Sequence, residues 1–244
     1  MRSLTARELL DVWEAGQPQP LAQRALLLLA LANPELSYET LARQRIGQRD
    51  AQLLTLREGL FGSRLISVAS CPNCGERLQL TLNISDLRVA GHAGPETIAL
   101  TIGDYVIRYR LPDSTDLLAL VSCDSVEAGR RLLLSRCVQT VQRDAADQSI
   151  DALPDEVSDT LVAHMAQADP QADVQFDLNC PVCAHHWAAA FDVMAFLWNE
   201  IDRWAQRMLR EVHLLASAYG WTEADILSLS PSRRRAYLNL IGGT

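Results

Sequence analysis

The sequence predicts an α+β fold in which helical segments at both ends flank a β module that carries a helical insertion. Leucine-rich runs with helical spacing fill residues 1–64, polar and apolar residues alternate strictly over residues 77–84, and apolar residues recur at helical spacing over residues 194–219. Alternation with a period of two is typical of a half-buried strand, whereas three-and-four spacing is typical of an amphipathic helix. We therefore expect three segments, with boundaries near residues 64 and 192.

The N-terminal segment, residues 1–64, is expected to be helical throughout. An apolar stripe over residues 9–13 marks its first helix, and Pro20 suits the first position of the next one, where an amide hydrogen is not needed. The leucines of residues 49–60 indicate its last helix, and Gly62 is a stop signal for that helix.

The middle segment, residues 65–192, contains the predicted strands. The β-prone runs at residues 98–102 and 105–109 are separated by Gly103-Asp104, which predicts a hairpin with a two-residue turn. Alternation returns at residues 174–178 and predicts a further strand.

Helices are expected between these strands. Their patterns cover residues 116–121 and 125–141, and a third helix should begin at Pro154 and end before Asp169. The polar stretch of residues 143–155 is expected to be a loop. The C-terminal segment, residues 193–244, is expected to be a helical arm whose long first helix ends at Gly220.

Composition excludes several classes of function. The chain has 48% hydrophobic and 21% charged residues, which is ordinary for a globular protein. Its formal net charge of −8 and its lack of lysine oppose binding to nucleic acid, because that affinity depends on cationic side chains. The longest apolar run, residues 25–32, is far shorter than the roughly 20 residues of a membrane span. No signal peptide can be drawn, so we expect a cytoplasmic protein without membrane insertion.

Two cysteine pairs carry the strongest motif in the chain. Cys71-Pro-Asn-Cys74 and Cys180-Pro-Val-Cys183 each place two thiols two residues apart in a tight turn. Such a turn can hold one edge of a metal tetrahedron, and two turns supply the four ligands of a structural Zn²⁺ site. We therefore predict a four-cysteine zinc-ribbon β module, interrupted between its two halves by the helical insertion. Four thiolates would fill the zinc shell, so we expect this site to be structural and not catalytic.

Other interpretations of these cysteines remain open. The two turns could be unrelated, or each could be a redox dithiol, although the alternating residues after Cys74 do not suit a thioredoxin-like motif. His185 or His186 could replace one cysteine ligand. Cys123 and Cys137 lie in helical patterns and are expected to be buried apolar residues.

Other polar and aromatic residues have simpler explanations. Asp113 and Asp116 suit helix capping, and the single histidines His92, His164 and His213 are expected to be surface or satisfied core groups. The aromatic residues near the second cysteine pair are expected to belong to the core; they are Trp187, Phe191, Phe196, Trp198 and Trp204.

A short basic run lies close to the C-terminus of this acidic chain. Arg233-Arg234-Arg235 could contact an acidic partner or a phosphate, but a solvated helix face is the simpler expectation.

Several segments together resemble a known family. They are Gln48-Arg49-Asp50 with Leu53-Leu54-x-Leu56-Arg57-Glu58, Leu60-Phe61-Gly62, Cys71-Pro-x-Cys74-Gly75, Arg110-Leu111-Pro112-Asp113-Ser114, Cys180-Pro-x-Cys183 with Trp187, Phe196-Leu197-Trp198-x-Glu200-Ile201-Asp202, and Tyr219-Gly220-Trp221 with Ile226-Leu227 and Arg233-Arg234-Arg235. In this combination the chain resembles small baseplate proteins of contractile phage tails and related contractile injection systems. One departure is Ala184, where such turns more usually have glycine.

The resemblance implies a non-enzymatic role in baseplate construction, either as a built-in component or as a factor for hub assembly that leaves afterwards. It implies other baseplate or tail proteins as partners, of the hub, wedge, spike or sheath, and no small-molecule substrate. It also implies a location in the bacterial cytoplasm during assembly and in the tail particle for a retained component.

The alternative is a zinc-ribbon module that binds nucleic acid or a transcription complex, which the scarcity of cationic residues on the ribbon strands disfavours. A zinc hydrolase would need an open metal position with a carboxylate base beside it.

Overall fold

The computed structural model describes residues 1–89 and 94–242, and the predicted solitary histidine His92 lies outside these residues. The chain begins with four helices, as its leucine patterns predict: α1 (Ala6–Gly16), α2 (Leu21–Ala32), α3 (Tyr38–Ala42) and α4 (Ile46–Phe61). A capping box between Thr5 and Glu8 begins α1, and Pro20 immediately precedes α2.

Two separate β-hairpins follow the helices and frame the insertion. In the first, β1 (Arg64–Ser70) pairs antiparallel with β2 (Arg77–Asn83), and a short helix α5 (Ile84–Leu87) follows. The predicted alternation over residues 77–84 is thus confirmed as a strand up to Asn83. The second hairpin follows the insertion in the chain.

The described residues of the insertion form a four-stranded antiparallel sheet and three helices. Its strands, in sheet order, are β3 (Ile98–Ile102), β4 (Tyr105–Tyr109), β5 (Val138–Arg143) and β6 (Ala146–Asp147). Its helices are α6 (Ser114–Leu120), α7 (Val126–Cys137) and α8 (Asp155–Ala168). Short 3-10 turns cover Ile150–Ala152 and Pro170–Ala172, and the second hairpin then pairs β7 (Gln175–Asn179) with β8 (His186–Ala190).

Two predictions for the insertion need correction. The helix expected over residues 125–141 ends at Cys137, because the following residues pair with β4 and bring Val141 opposite Ile107 in the core. The loop expected over residues 143–155 contains β6 and a 3-10 turn. The hairpin at Gly103-Asp104 is confirmed, with Gly103 at a φ of 56°.

The C-terminal arm is helical, as predicted. It consists of α9 (Val193–Tyr219), α10 (Glu223–Ser228) and α11 (Pro231–Gly242). Gly220 ends α9 in the left-handed conformation, with a φ of 68°. The α+β class is therefore confirmed, and no helix among the described residues is both long and apolar enough to span a membrane.

The largest core joins the N-terminal helices, the bases of both hairpins and α9. Leu26 and Leu53 meet Leu65, Val174 and Leu197 in this cluster. A second core lies within the insertion, where the sheet packs against α8 and the fully buried residues include Ile107, Tyr109 and Leu161.

One buried arginine connects α4 to α9. Arg57, only 3% exposed, donates two hydrogen bonds to the carboxylate of Glu200, at 2.7 and 2.8 Å. It also donates to the carbonyl oxygens of Gly62 and Arg64, at 2.6 and 2.9 Å. The same guanidinium group therefore fixes the end of α4, the start of β1 and one turn of α9.

Candidate metal centre

The turn of the first hairpin presents Cys71 and Cys74. The amide of Gly75 donates to the carbonyl of Cys71 at 2.9 Å, and the amide of Cys71 donates to the carbonyl of Glu76 at 2.8 Å. Gly75 has a φ of 77°, the left-handed region that glycine enters without steric cost. These bonds close a compact turn that directs both thiols to one side.

The turn of the second hairpin repeats the same geometry. The amide of Ala184 donates to the carbonyl of Cys180 at 2.9 Å, and the amide of Cys180 donates to the carbonyl of His185 at 2.9 Å. Ala184 has a φ of 55°, so it occupies the position of Gly75 with the same handedness although it carries a Cβ atom. The departure from glycine noted in the sequence therefore leaves the form of the turn unchanged.

The two turns meet at their tips and bring the four thiols together. The Sγ atoms of Cys71 and Cys183 are 3.6 Å apart, and those of Cys74 and Cys180 are 3.5 Å apart. All four Sγ atoms lie within 4.8 Å of one another. Metal–sulfur bonds of about 2.3 Å in a tetrahedron would place the sulfur atoms about 3.8 Å apart. The cluster therefore has the dimensions and the donor set of a four-thiolate metal shell.

The cluster is half enclosed by protein. Cys71 and Cys180, the first cysteine of each pair, are buried, whereas Cys74 is exposed and Cys183 is half-buried. The first cysteines thus face the hairpins, and the second cysteines lie toward solvent at the tip.

Hydrogen-bond donors surround the second cysteine of each pair. The backbone amide of Glu76 favours the thiolate of Cys74, but the neighbouring thiol of Cys183, followed by burial and the other sulfurs, raises the pKa of Cys74 to about 12. The side-chain amide of Asn73 and the backbone amide of His185 lower the pKa of Cys183 to about 6. Amide donors at equivalent positions in both turns are the arrangement that disperses the charge of metal-bound thiolates.

The remaining cysteines and the neighbouring histidines do not join this group. Among the described residues, the potential metal-binding group contains cysteines alone, and the ring of His185 stacks on Trp187 with their centroids 6.1 Å apart. Burial raises the pKa of the Cys137 thiol to about 12, in agreement with its expected role as a small core residue. Cys123 is half-buried in the loop between α6 and α7, so the expectation of a buried helical residue is wrong for it.

Comparison with known proteins identifies the family. The family model described as T4 bacteriophage base plate protein matches residues 35–198, which is more than half of the chain. The chain belongs to this family. The base plate match covers both cysteine turns, the whole insertion and the first residues of α9. The resemblance noted in the sequence is therefore confirmed, and membership supports a structural component of a phage tail.

Neither the curated proteins nor the solved structures contain a match to the chain.

Asp113 and Asp116 serve helix capping in this base plate protein, as predicted. The Asp113 carboxylate accepts hydrogen bonds from the amides of Thr115 and Asp116. The Asp116 carboxylate in turn accepts one from the backbone amide of Asp113. Asp116 is fully buried and accepts two hydrogen bonds from Arg110, at 2.6 and 2.8 Å, and one from Arg136, at 2.8 Å. These contacts join α6 to the end of β4 and to α7.

Four of the five predicted aromatic residues contribute to the core, as expected. Trp198 is buried, and Phe191, Phe196 and Trp204 pack against the main cluster. Trp187 is half-buried in β8, where its ring stacks on His185, and it is not among the residues of the main core cluster, so the expectation is wrong for this residue. His164 accepts or donates a hydrogen bond with the hydroxyl of Tyr109 at 2.5 Å, and His213 is exposed.

The arginine run of α11 divides between solvent and core. Arg233 and Arg235 are exposed, as a solvated helix face predicts. Arg234 is 4% exposed and donates to Glu211 and to the carbonyl of Leu229, so the expectation is wrong for this residue. The helical period turns Arg234 toward α9, away from its two neighbours.

Two supporting features were not indicated by the sequence patterns. Asn73 lies between the two cysteines of the first turn, and its side chain hydrogen-bonds the thiol of Cys183 in the other turn. Asp169 caps the start of α4 from the far end of α8 by accepting the amide of Gly47 at 2.8 Å. A Cβ atom on Gly47 would come within 1.9 Å of the Asp169 carboxylate, so the cap depends on glycine there. Neither role has a short-range motif by which it could have been found.

Proposed function

We propose that this chain is a non-enzymatic structural or assembly component of a contractile-tail baseplate and that Cys71, Cys74, Cys180 and Cys183 bind a structural Zn²⁺ ion. Family membership supports the baseplate role, and the cluster of four Sγ atoms supports the metal site. The cluster is the single observation on which the zinc proposal depends.

Zinc suits this donor set better than the harder divalent ions. Thiolates are soft ligands that select Zn²⁺, whereas Mg²⁺ and Ca²⁺ prefer oxygen. Four thiolates complete the tetrahedral shell and leave no position for water or substrate, so the ion would supply structure and not Lewis-acid chemistry.

The ion would connect two parts of the chain that are far apart in sequence. Cys74 and Cys180 are separated by 106 positions, and each lies at the tip of a hairpin that has two strands among the described residues. An isolated two-stranded hairpin is marginally stable in water. Coordination would therefore hold both tips in one rigid unit, which can act as a fixed post between other baseplate or tail proteins.

The test combines metal content with particle assembly. Purified wild-type protein should contain one zinc ion per chain by elemental analysis. Cys71→Ser and Cys180→Ser should each lose the metal, and in cells that produce the tail they should fail to support baseplate assembly. Cys123→Ser is the matched control, because Cys123 lies outside the cluster and its loss should leave the metal content unchanged.

Three outcomes would contradict separate parts of the proposal. Wild-type protein without bound metal would eliminate the zinc site. Metal-free cysteine variants that assemble normal particles would show that the site is dispensable for the baseplate role. Failure of the wild-type protein to copurify with any hub, wedge, spike or sheath protein would contradict the proposed role itself.

A further inference from the structure

The negative charge of the chain is concentrated in one part of the insertion. Residues 113–173 contain twelve aspartates and glutamates but only four arginines, a formal net charge of −8. The whole chain has the same formal net charge of −8, so the remaining residues are balanced. This concentration sets up a negative field around α6, α7 and α8 that favours a cationic partner.

An apolar groove of about 830 Å³ lies within this acidic region. Its walls come from α6, α7 and α8, and apolar side chains dominate them; these include Leu117, Leu120, Leu133, Leu134 and Met165.

The rim of the groove leaves large apolar side chains in solvent. Val126, at the start of α7, is 93% exposed, and Val162, on α8, is 39% exposed. Exposed aliphatic side chains that border a continuous apolar groove are typical of a protein-binding surface.

The charged residues that line the groove are predominantly acidic. Asp124, Asp169 and Asp173 are among them. Arg130 also lines the groove, but its guanidinium group is paired with Asp159 on α8. A partner that enters the groove therefore meets an apolar floor and an anionic rim.

The length of the walls fits a short helix. α7 has 12 residues and α8 has 14. At 1.5 Å per residue these helices are about 18 and 21 Å long, which is enough for about three turns of a helix lying between them.

We propose that this groove binds an amphipathic helix of another baseplate or tail protein, with an apolar face at positions i, i+3, i+4 and i+7 and lysine or arginine along its flanks. This inference rests on the proposed function for the source of the partner. The apolar floor accounts for the apolar face, and the acidic rim accounts for the cationic flanks, in the helix-in-groove mode of recognition. The same field repels nucleic acid.

The test is site-specific photocrosslinking of the full chain in cells that assemble the tail. A photoreactive amino acid replaces Val162 in the groove, and in separate strains it replaces Val106 or Leu240 elsewhere on the surface. Val106 is the matched control because it is also 39% exposed. Mass spectrometry then identifies the crosslinked segment. Position 162 should capture one segment of a tail protein, and the sequence of that segment should have apolar residues at i, i+3, i+4 and i+7 with lysine or arginine along the flanks.

Charge reversal tests the anionic rim. Asp124→Lys combined with Asp173→Lys should lower the yield of that crosslink at least about tenfold, which corresponds to about 1.4 kcal/mol of binding free energy. Asp11→Lys combined with Asp177→Lys introduces the same charges on exposed residues outside the groove and should leave the yield unchanged.

Several outcomes would overturn the inference. Crosslinks from position 162 to an acidic segment, to a small molecule or to a second copy of this chain would each do so. Crosslinks to tail proteins from positions 106 or 240 but not from 162 would also do so, while the proposed function would stand. If no position captured a tail protein, both the inference and the proposed function would fail.

Discussion

Ala184 holds a backbone conformation that glycine adopts more easily. Its φ of 55° corresponds to the φ of 77° at Gly75 in the other cysteine turn. For a residue with a Cβ atom this conformation costs about 1–2 kcal/mol. The turn is held in spite of this cost, because its backbone hydrogen bonds and the cysteine positions require it.

We expect Ala184→Gly to stabilise the protein. Relief of the left-handed strain should exceed the larger conformational entropy of glycine in the unfolded chain, for a net gain of roughly 0.5–1 kcal/mol. Chemical denaturation of both proteins at the same zinc concentration measures the difference.

Gly75→Ala is the reciprocal variant. Apart from its chain neighbours, no atom of the described residues lies within 4 Å of the position that its Cβ would occupy, so any loss comes from the backbone and not from a clash. It should destabilise the protein by about 1 kcal/mol. Equal stability of the wild type and both variants would show that the two turns are not strained by a Cβ atom.

At the scale of elements, Asp116 joins one helix to its neighbours. Burial opposes ionisation of this carboxylate, but the hydrogen bonds from Arg110, the Asp113 amide and Arg136 outweigh it and lower the pKa of Asp116 below its usual range. A depressed pKa in the folded state means that the ionised group stabilises the fold above the unfolded pKa of about 3.9 and that this contribution is lost as the pH falls below it.

Asp116→Asn should therefore destabilise the protein in a pH-dependent way. At pH 7 the loss should be about 3–5 kcal/mol, because two arginines lose a buried partner. The difference from wild type should stay constant down to about pH 5 and then shrink, because the Asp116 carboxylate of the unfolded wild-type chain takes up a proton at a higher pH than that of the folded protein. Urea unfolding at a series of pH values measures it, with the exposed Asp11→Asn as control. A difference that does not change between pH 5 and pH 3 would contradict this account.

Elements whose apolar residues follow one clear spacing could be predicted from the sequence. A stretch whose residues fit a helical spacing but also pair as a strand could not. Residues 77–83 alternate without exception and form β2, and the long apolar stripe before Gly220 forms α9. In contrast, Leu134, Cys137 and Val141 fit the spacing of a continuing helix. Only the pairing of Val141 opposite Ile107 makes this stretch a strand, and a partner 34 positions away is not visible in a local pattern.

At the scale of the whole molecule, the metal cluster could be predicted but its supports could not. Two cysteine pairs with the same spacing carry their chemistry in the sequence itself, whatever the distance between them. The pair Arg57–Glu200 joins residues 143 positions apart, and neither residue belongs to a motif that specifies the other. The groove depends on how three helices pack, so only its negative charge could be read from composition. The division at residues 64 and 192 stays a prediction, and the main core contains residues from all three segments.

Removal of the metal should loosen the molecule unevenly. A strong chelator would release the two hairpin tips, whose strands, in the part of the chain that the structure describes, pair only within each hairpin. The sheet of the insertion has a separate core built around Ile107, Tyr109 and Leu161, and the bases of the hairpins pack in the main core. We therefore expect hydrogen exchange to increase first at residues 66–81 and 176–189, while the amides of β4 and α8 stay protected.

Hydrogen-exchange mass spectrometry before and after chelation measures this order, and Cys71→Ser should show the loosened pattern without chelator. Uniform loss of protection across hairpins and insertion would mean that the ion stabilises the whole fold as one unit, and unchanged exchange would mean that the tips are held together without it.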